Sequence, residues 1–160
     1  MQKKYEFEYE LVDHAGLLSI ADQALLKAAI KATETAYAPY SNFKVGAAAC
    51  LSTGQIVIGS NQESASFPVG ICAERTLLNS IGSQYPAATI IAMAVSYDPF
   101  NKPSTVPISP CGMCRQSLLD YENRYQAPIK MILAGKTGPV MVLPSAAHLL
   151  PFGFDGSILK

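Results

Sequence analysis

The sequence predicts an α/β protein: a three-layer α/β/α sandwich around a mixed sheet of about five strands. Three observations carry this prediction. Ala88 to Tyr97 and Ile129 to Ala134 are continuous apolar runs, as expected of strands covered on both faces. Helical periodicities alternate with them and supply both the covering layers and the parallel crossovers. Phe43 to Leu51 and Gln55 to Gly59 are strand-like and joined by Ser52-Thr53-Gly54, a hairpin that adds antiparallel strands.

The elements follow in chain order. Tyr5, Phe7 and Tyr9 alternate with Glu6, Glu8 and Glu10, a pattern suited to an edge strand. Ser19-Ile-Ala-Asp22 reads as a capping box, and Leu25, Leu26, Ala29, Ile30, Thr33 and Tyr37 recur at helical spacing until Pro39 ends the pattern. After the hairpin, a second helix is predicted from Cys72 to about Ile81. Residues 98–110 carry Pro99, Pro103, Pro107 and Pro110 and must be loop. A third helix is expected from Cys111 to about Tyr121, a weaker strand at Val140 to Leu143, and a short last helix at Ser145 to Leu150.

Composition narrows the functional classes. Twelve basic side chains cancel twelve acidic ones, and no basic run occurs, which argues against a nucleic-acid partner. Charged residues make up only 15% of the chain, against roughly 25% in an average soluble domain. So thin a polar coat suggests that part of the surface is an oligomer interface. No segment reaches the roughly 18 apolar residues of a membrane span, and the charged start lacks the apolar run of a signal peptide. A cytoplasmic protein is expected, and in a reducing compartment four cysteines do not read as a disulfide framework.

Cys111-Gly-Met-Cys114 is a C-x-x-C pair, a pattern shared by redox sites, structural zinc and catalytic zinc. Its context decides among them. Cys111 opens a helix after the proline-rich loop, and Cys72-Ala-Glu-Arg75 opens another. Two helix N-termini aimed at one point place three thiols in a shared positive field, which lowers their pKa and favours a metal. Three protein ligands without a fourth describe a catalytic zinc with one position left for water. Cys50, the remaining thiol, lies in Val45-Gly-Ala-Ala-Ala-Cys50-Leu51 and reads as a small core residue. His14 and His148 have no ligand-spaced partner and read as surface or capping residues. Glu74 follows Cys72 by two positions, within reach of a metal-activated water without binding the metal itself.

Cys72-Ala-Glu-Arg75 followed by Pro110-Cys-Gly-Met-Cys-Arg-Gln116 resembles the paired zinc signature of the cytidine deaminase superfamily. Tyr40-Ser-Asn-Phe43-Lys-Val-Gly-Ala-Ala48 is similar to the family's nucleoside-binding strand, Asn61-Gln-Glu63 to its ribose-binding motif, and Leu149-Leu-Pro-Phe-Gly-Phe154 to its C-terminal segment. The resemblance covers roughly residues 20 to 155. It implies one domain over 1–160, with 1–18 an N-terminal extension and 19–155 the catalytic core. Cysteine rather than histidine at position 72 resembles the nucleoside deaminases, and the short chain resembles their homotetrameric type.

The resemblance also implies roles. Cys72, Cys111 and Cys114 would hold one Zn2+ per subunit. Glu74 would shuttle protons from water to ring nitrogen 3 of cytosine and to the departing amine, so that cytidine or deoxycytidine becomes uridine or deoxyuridine plus ammonia. Asn61 and Glu63 would bind the sugar hydroxyls, Phe43 the base and the Ala73 amide the base carbonyl. Three thiolates leave the zinc site negative, so Arg75 and Arg115 would offset that charge by donating to sulfur. Phe67 and Phe154 would close a neighbouring subunit's site, with Phe67 standing where the family commonly has tyrosine. Two other readings remain open: a deaminase of a cytosine-containing nucleoside antibiotic, and an interaction module whose zinc is structural.

Overall fold

Ser19 starts the first helix as its spacing requires. Its Oγ accepts the Asp22 N–H at 3.1 Å and donates to the Asp22 carboxylate at 2.8 Å, capping α1 (Ile20–Ala32). In the computed structural model, which describes residues 1–159, eight further elements follow or flank it. They are β1 (Glu10–Val12), β2 (Phe43–Leu51), β3 (Ile56–Ser60), α2 (Ala73–Gln84), β4 (Ile90–Pro99), α3 (Gly112–Tyr125), β5 (Lys130–Ala134) and β6 (Val140–Leu143).

Six strands make one sheet in the order β1-β6-β5-β4-β2-β3, parallel at β4–β5 and antiparallel at every other pairing. Side chains alternate across it with period two. Ala47, Ala49, Leu51, Met93, Val95, Met131 and Leu133 face α2 and α3, where they pack with Leu77, Leu78, Ile81 and Leu118. Ala48, Ala92, Ala94, Ile132 and Ala134 face α1 and meet Leu25, Leu26 and Ala29. The expected three layers are therefore present, and each large side chain so buried contributes about 1.5–3 kcal/mol. Half-buried Cys50 packs against the α1 face, as its small-residue surroundings predict.

The crossovers decide where the chemistry sits. β3 and β4 are both antiparallel to β2, so they run the same way, and Ser60 and Ser96 share the row of Gly46. α2 leaves β3 and α3 leaves β4, and both helices pack on the same face. Their N-termini must then lie at the same end of the sheet.

Three sequence expectations need correction. The Tyr5-to-Glu10 alternation does not form a strand: only Glu10, Leu11 and Val12 pair, with Val142, Met141 and Val140, and this β1 is the sixth strand. Residues 5–9 instead lie over the C-terminal segment, where Tyr5 and Phe7 find aromatic partners. α1 ends at Ala32 rather than Tyr37, followed by a single 3-10 turn at Thr33–Thr35. There the hydroxyls of Thr33 and Thr35 satisfy the carbonyls of Ile30 and Ala32. A Cβ on Gly46 would come within 2.2 Å of Ala29 O, so this close helix–strand approach requires glycine. The last predicted helix is one 3-10 turn, Ala146–Leu149.

Candidate metal centre

Cys72 and Cys111 occupy equivalent positions, each the extended residue just before its helix, and neither sulfur caps its own helix. Two features hold the first of them. Ile71 and Gln62 exchange backbone hydrogen bonds at 2.9 Å. Gly59 lets the first turn of α2 lie against β3, where a Cβ would meet Ala73 O and Leu77 N at 2.7 Å. The loop before Cys111 is pinned through Ser104, whose Oγ donates to Tyr97 O at 2.7 Å and accepts the Lys136 N–H at 3.0 Å.

The two helix starts bring Cys72 Sγ to 3.8 Å from Cys111 Sγ, and Cys111 Sγ to 3.5 Å from Cys114 Sγ. All three sulfurs lie within 4.8 Å of one another, and among the described residues no other His, Cys, Asp or Glu joins the group. Ligands about 2.3 Å from a tetrahedral zinc stand roughly 3.8 Å apart, whereas a disulfide requires about 2.05 Å. Donor type and spacing therefore fit a zinc ion, one per chain. Cys114 is buried, Cys72 half-buried and Cys111 exposed, so the cluster is open on one side.

Electrostatics agree with that chemistry. The hydrogen bond from Cys114 is the main influence lowering the Cys72 thiol to about 6, with Cys111 and the charge of Arg75 assisting against burial. Cys114 moves far the other way, held protonated by its bond to Cys72 and by burial. A soft divalent metal held by the three sulfurs would bind them as thiolates and displace their protons. Glu74, 4% exposed, is the second residue of α2, and burial raises its carboxyl above the ordinary range, with the Cys72 charge adding. A carboxyl so placed keeps its proton to higher pH than an exposed one.

The arginines divide. Arg75 acts on Cys72 through charge, and among the described residues it makes no hydrogen bond to sulfur. Arg115 departs from expectation: its Nε donates to Pro110 O at 2.7 Å and its Nη1 to Leu149 O at 3.0 Å. It ties the loop before Cys111 to the C-terminal segment.

A second group of predicted residues gathers at the ends of β2 and β3. Glu63 accepts the N–H groups of Tyr40 and Ser41 at 2.9 and 3.2 Å and the Ser41 hydroxyl. These bonds, the hydroxyl foremost, hold its carboxyl below the usual range. Asn61 Oδ1 accepts the Val45 N–H at 2.8 Å and its Nδ2 donates to Phe43 O at 3.0 Å, leaving one N–H and one lone pair for a ligand. The Phe43 ring stacks on Tyr97 at 5.3 Å. Tyr40, Ser41, Glu63, Ser64, Phe67 and Gly70 line a cavity of about 370 Å³. Phe67 is 73% exposed and touches the Tyr40 ring edge-on, while Phe154 is 57% exposed. Ala73 is the first residue of α2, so its N–H has no acceptor within the helix.

Sequence reading missed Glu122. This buried carboxylate in the last turn of α3 accepts the N–H groups of Ile129, Ala146 and Ala147 and the Ser145 hydroxyl, at 2.7–3.1 Å. An acid in the last turn opposes the helix dipole, and that anomaly was the available signal. His14 caps the Ala15–Leu17 turn by accepting the Gly16 N–H, and His148 stacks on Phe7, so neither joins the sulfurs.

Comparison with known proteins places this geometry. Residues 19–126 match the family model described as the cytidine and deoxycytidylate deaminase zinc-binding region. The chain is 37% identical over 132 residues to a cytidine deaminase of Halalkalibacterium halodurans, covering 82% of this chain and 92% of that one. It is 38% identical over 133 residues to a cytidine deaminase of Sporosarcina psychrophila, covering 83% and 90%. Its fold superimposes on the crystal structure of cytidine deaminase from Burkholderia pseudomallei with a TM-score of 0.71 at 38% identity, over 86% of this chain and all of that one. The family model spans both helix starts that bring the three sulfurs together, and the likeness extends over most of the chain: the protein belongs to the cytidine and deoxycytidylate deaminase family.

Proposed function

We propose that the chain hydrolyses cytidine and deoxycytidine to uridine and deoxyuridine with release of ammonia, the chemistry of pyrimidine salvage. One observation carries this reading: a buried carboxyl, Glu74, stands beside three clustered sulfurs that open on one side. When bound by Cys72, Cys111 and Cys114, zinc acidifies water and supplies a nucleophile near neutral pH. Glu74 does the proton work. It moves one proton of the attacking water to ring nitrogen 3 and then the proton left on the added hydroxyl to the amine, which departs as ammonia. Its raised pKa suits both duties.

The remaining residues bind and orient. The Ala73 N–H meets the base carbonyl, Phe43 packs on the base, and Asn61 and Glu63 take the sugar hydroxyls in the cavity beside Tyr40. Arg75 balances the anionic sulfurs through charge. Arg115 serves as a tie between chain segments. Phe67 and Phe154 complete the wall of a neighbour's site in a homotetramer, a reading supported by their exposure and by a charged fraction of only 15%. The protein acts in the cytoplasm as one domain, with 1–18 added to the 19–155 core. No helix of the described residues is long and apolar enough to cross a membrane.

Ammonia release tests the reading on cytidine, deoxycytidine and a cytosyl nucleoside antibiotic, alongside metal analysis of the purified protein. Turnover of the first two with about one zinc per chain is expected. Activity confined to the antibiotic, or zinc without turnover of any of them, would overturn it.

A further inference from the structure

We propose that residues 5–12, which precede the region matched to the family, form a strap that holds the C-terminal segment 146–154 in its substrate-competent position, with Phe7 and Tyr5 as positioning residues. The strap is anchored at one end by β1, whose three residues pair with β6. At the other end its aromatic side chains lie on the C-terminal segment. Phe7 stacks on His148 with ring centroids 5.1 Å apart and planes at 26°, and Tyr5 meets Phe152 at 5.7 Å. The edge-strand pattern of the sequence thus has another use: its aromatic positions bind a neighbouring segment.

Segment 146–154 has little structure of its own. After the turn at Ala146–Leu149 it contains no helix or strand, and Phe152 sits at φ 58°, the left-handed region that non-glycine residues rarely adopt. It is held from outside by the strap and from inside by α3. Arg115 donates to Leu149 O, Gln116 donates to Phe154 O at 2.7 Å, and Glu122 accepts from Ala146 and Ala147. Arg115 and Gln116 directly follow Cys114, so the segment is fastened to the helix turn that carries a cluster sulfur. A strap that keeps Phe154 in place raises the fraction of molecules ready to bind, which lowers the apparent dissociation constant without touching the chemical step. This consequence for KM rests on the proposed role of residues 149–154 in closing a nucleoside site.

The test uses full-length, zinc-loaded Phe7→Ala, with Phe7→Tyr as the conservative variant and exposed Glu8→Ala as the control. Amide hydrogen exchange over 146–154 and steady-state kinetics on cytidine are both measured. An aromatic pair of ordinary strength predicts that Phe7→Ala raises KM by about 2- to 10-fold with kcat nearly unchanged. Exchange in 146–154 should quicken by a similar factor, and Phe7→Tyr should restore both. Unchanged exchange in 146–154 would overturn the strap. Faster exchange with unchanged KM would overturn its positioning role. A loss of kcat and zinc together would mark general destabilisation and equally overturn it. Faster exchange in a protein that never turned over cytidine would leave the strap standing and remove the deaminase reading instead.

Discussion

The metal corner and the proposed sugar wall are built from neighbouring parts of one molecule, yet the chain completes only the first. At the corner Cys114 and Glu74 are buried, the helix starts are fixed by Gly59 and Ser104, and the sulfurs already stand at zinc-binding spacing. At the wall Glu63 and Asn61 are oriented by hydrogen bonds, but the rings of Tyr40, Phe43 and Phe67, each in contact with one other ring, stay exposed on their remaining sides. The difference follows from what each part must do. A metal needs preset ligands, because spreading them costs affinity directly. A wall that admits and releases substrate stays open until something closes it.

Breaking the corner should have the largest effects. Cys114→Ser removes a buried thiolate donor, so zinc should fall from about one per chain towards none and turnover should vanish, as read by metal analysis and ammonia release. A strong chelator should do the same to the unaltered protein, with activity returning on added zinc. Glu74→Gln separates the proton work from the metal: zinc and melting temperature should persist while kcat falls beyond the roughly 10²–10⁴-fold of one proton transfer. Full activity in this variant would reduce the site to a structural zinc.

Glu122 lies at the end of α3 opposite the cluster and tests whether the corner depends on support there. Glu122→Ala leaves several buried donors unpaired, so stability should drop by about 2–4 kcal/mol, a fall in Tm of about 5–15 °C in thermal unfolding. A change below about 0.5 kcal/mol would show that the carboxylate is replaceable by water.

The wall should respond in KM. Glu63→Gln keeps the shape but loses the charge-assisted bonds, and KM for cytidine should rise about 10-fold with little change in zinc content. The smallest effect is on pH. Because the folded pKa of Glu63 is depressed, its contribution is complete above the ordinary value near ~4.3 and is lost as pH falls through the lower folded value. Ser41→Ala removes the largest cause of that depression, so its low-pH rise in KM should begin at higher pH than in the unaltered protein. Comparing the two proteins cancels the substrate's own titration. Coincident profiles would detach Ser41 from Glu63.

The strongest sequence signals concern local spacing. Ser19 to Asp22 marked a helix start, the apolar runs marked β4 and β5, and the C-x-x-C spacing marked two of the cluster's ligands, because capping, burial and ligand reach each act over a few residues. Cys72, 39 residues from Cys111, was added by the resemblance of its motif. Cys50 was likewise separable from the other thiols by its small apolar neighbours. Long-range partners were not legible. Arg115 follows a cluster cysteine in sequence, but only the folded chain brings Leu149 O within 3.0 Å of it. Glu122 opposes the dipole of its own helix, but its partners appear only when the start of β5 and the Ser145 turn converge on it. The aromatic alternation at residues 5–9 suits a strand, and whether it pairs or lies on another segment depends on which edge of the sheet remains to be filled.

By itself, then, the sequence made legible the three-layer class through periodicity and the C-x-x-C pair through short-range spacing, while Cys72 and Glu74 were picked out by the resemblance of the paired motifs to the deaminase signature. The tertiary structure decided that both cysteine-bearing helices begin at one end of the sheet, that Arg115 and Glu122 bind chain segments together, and that the N-terminal residues lie over the C-terminal ones. Such contacts join residues far apart in the chain, and their geometry is set by sheet order and crossover direction, which no local pattern encodes.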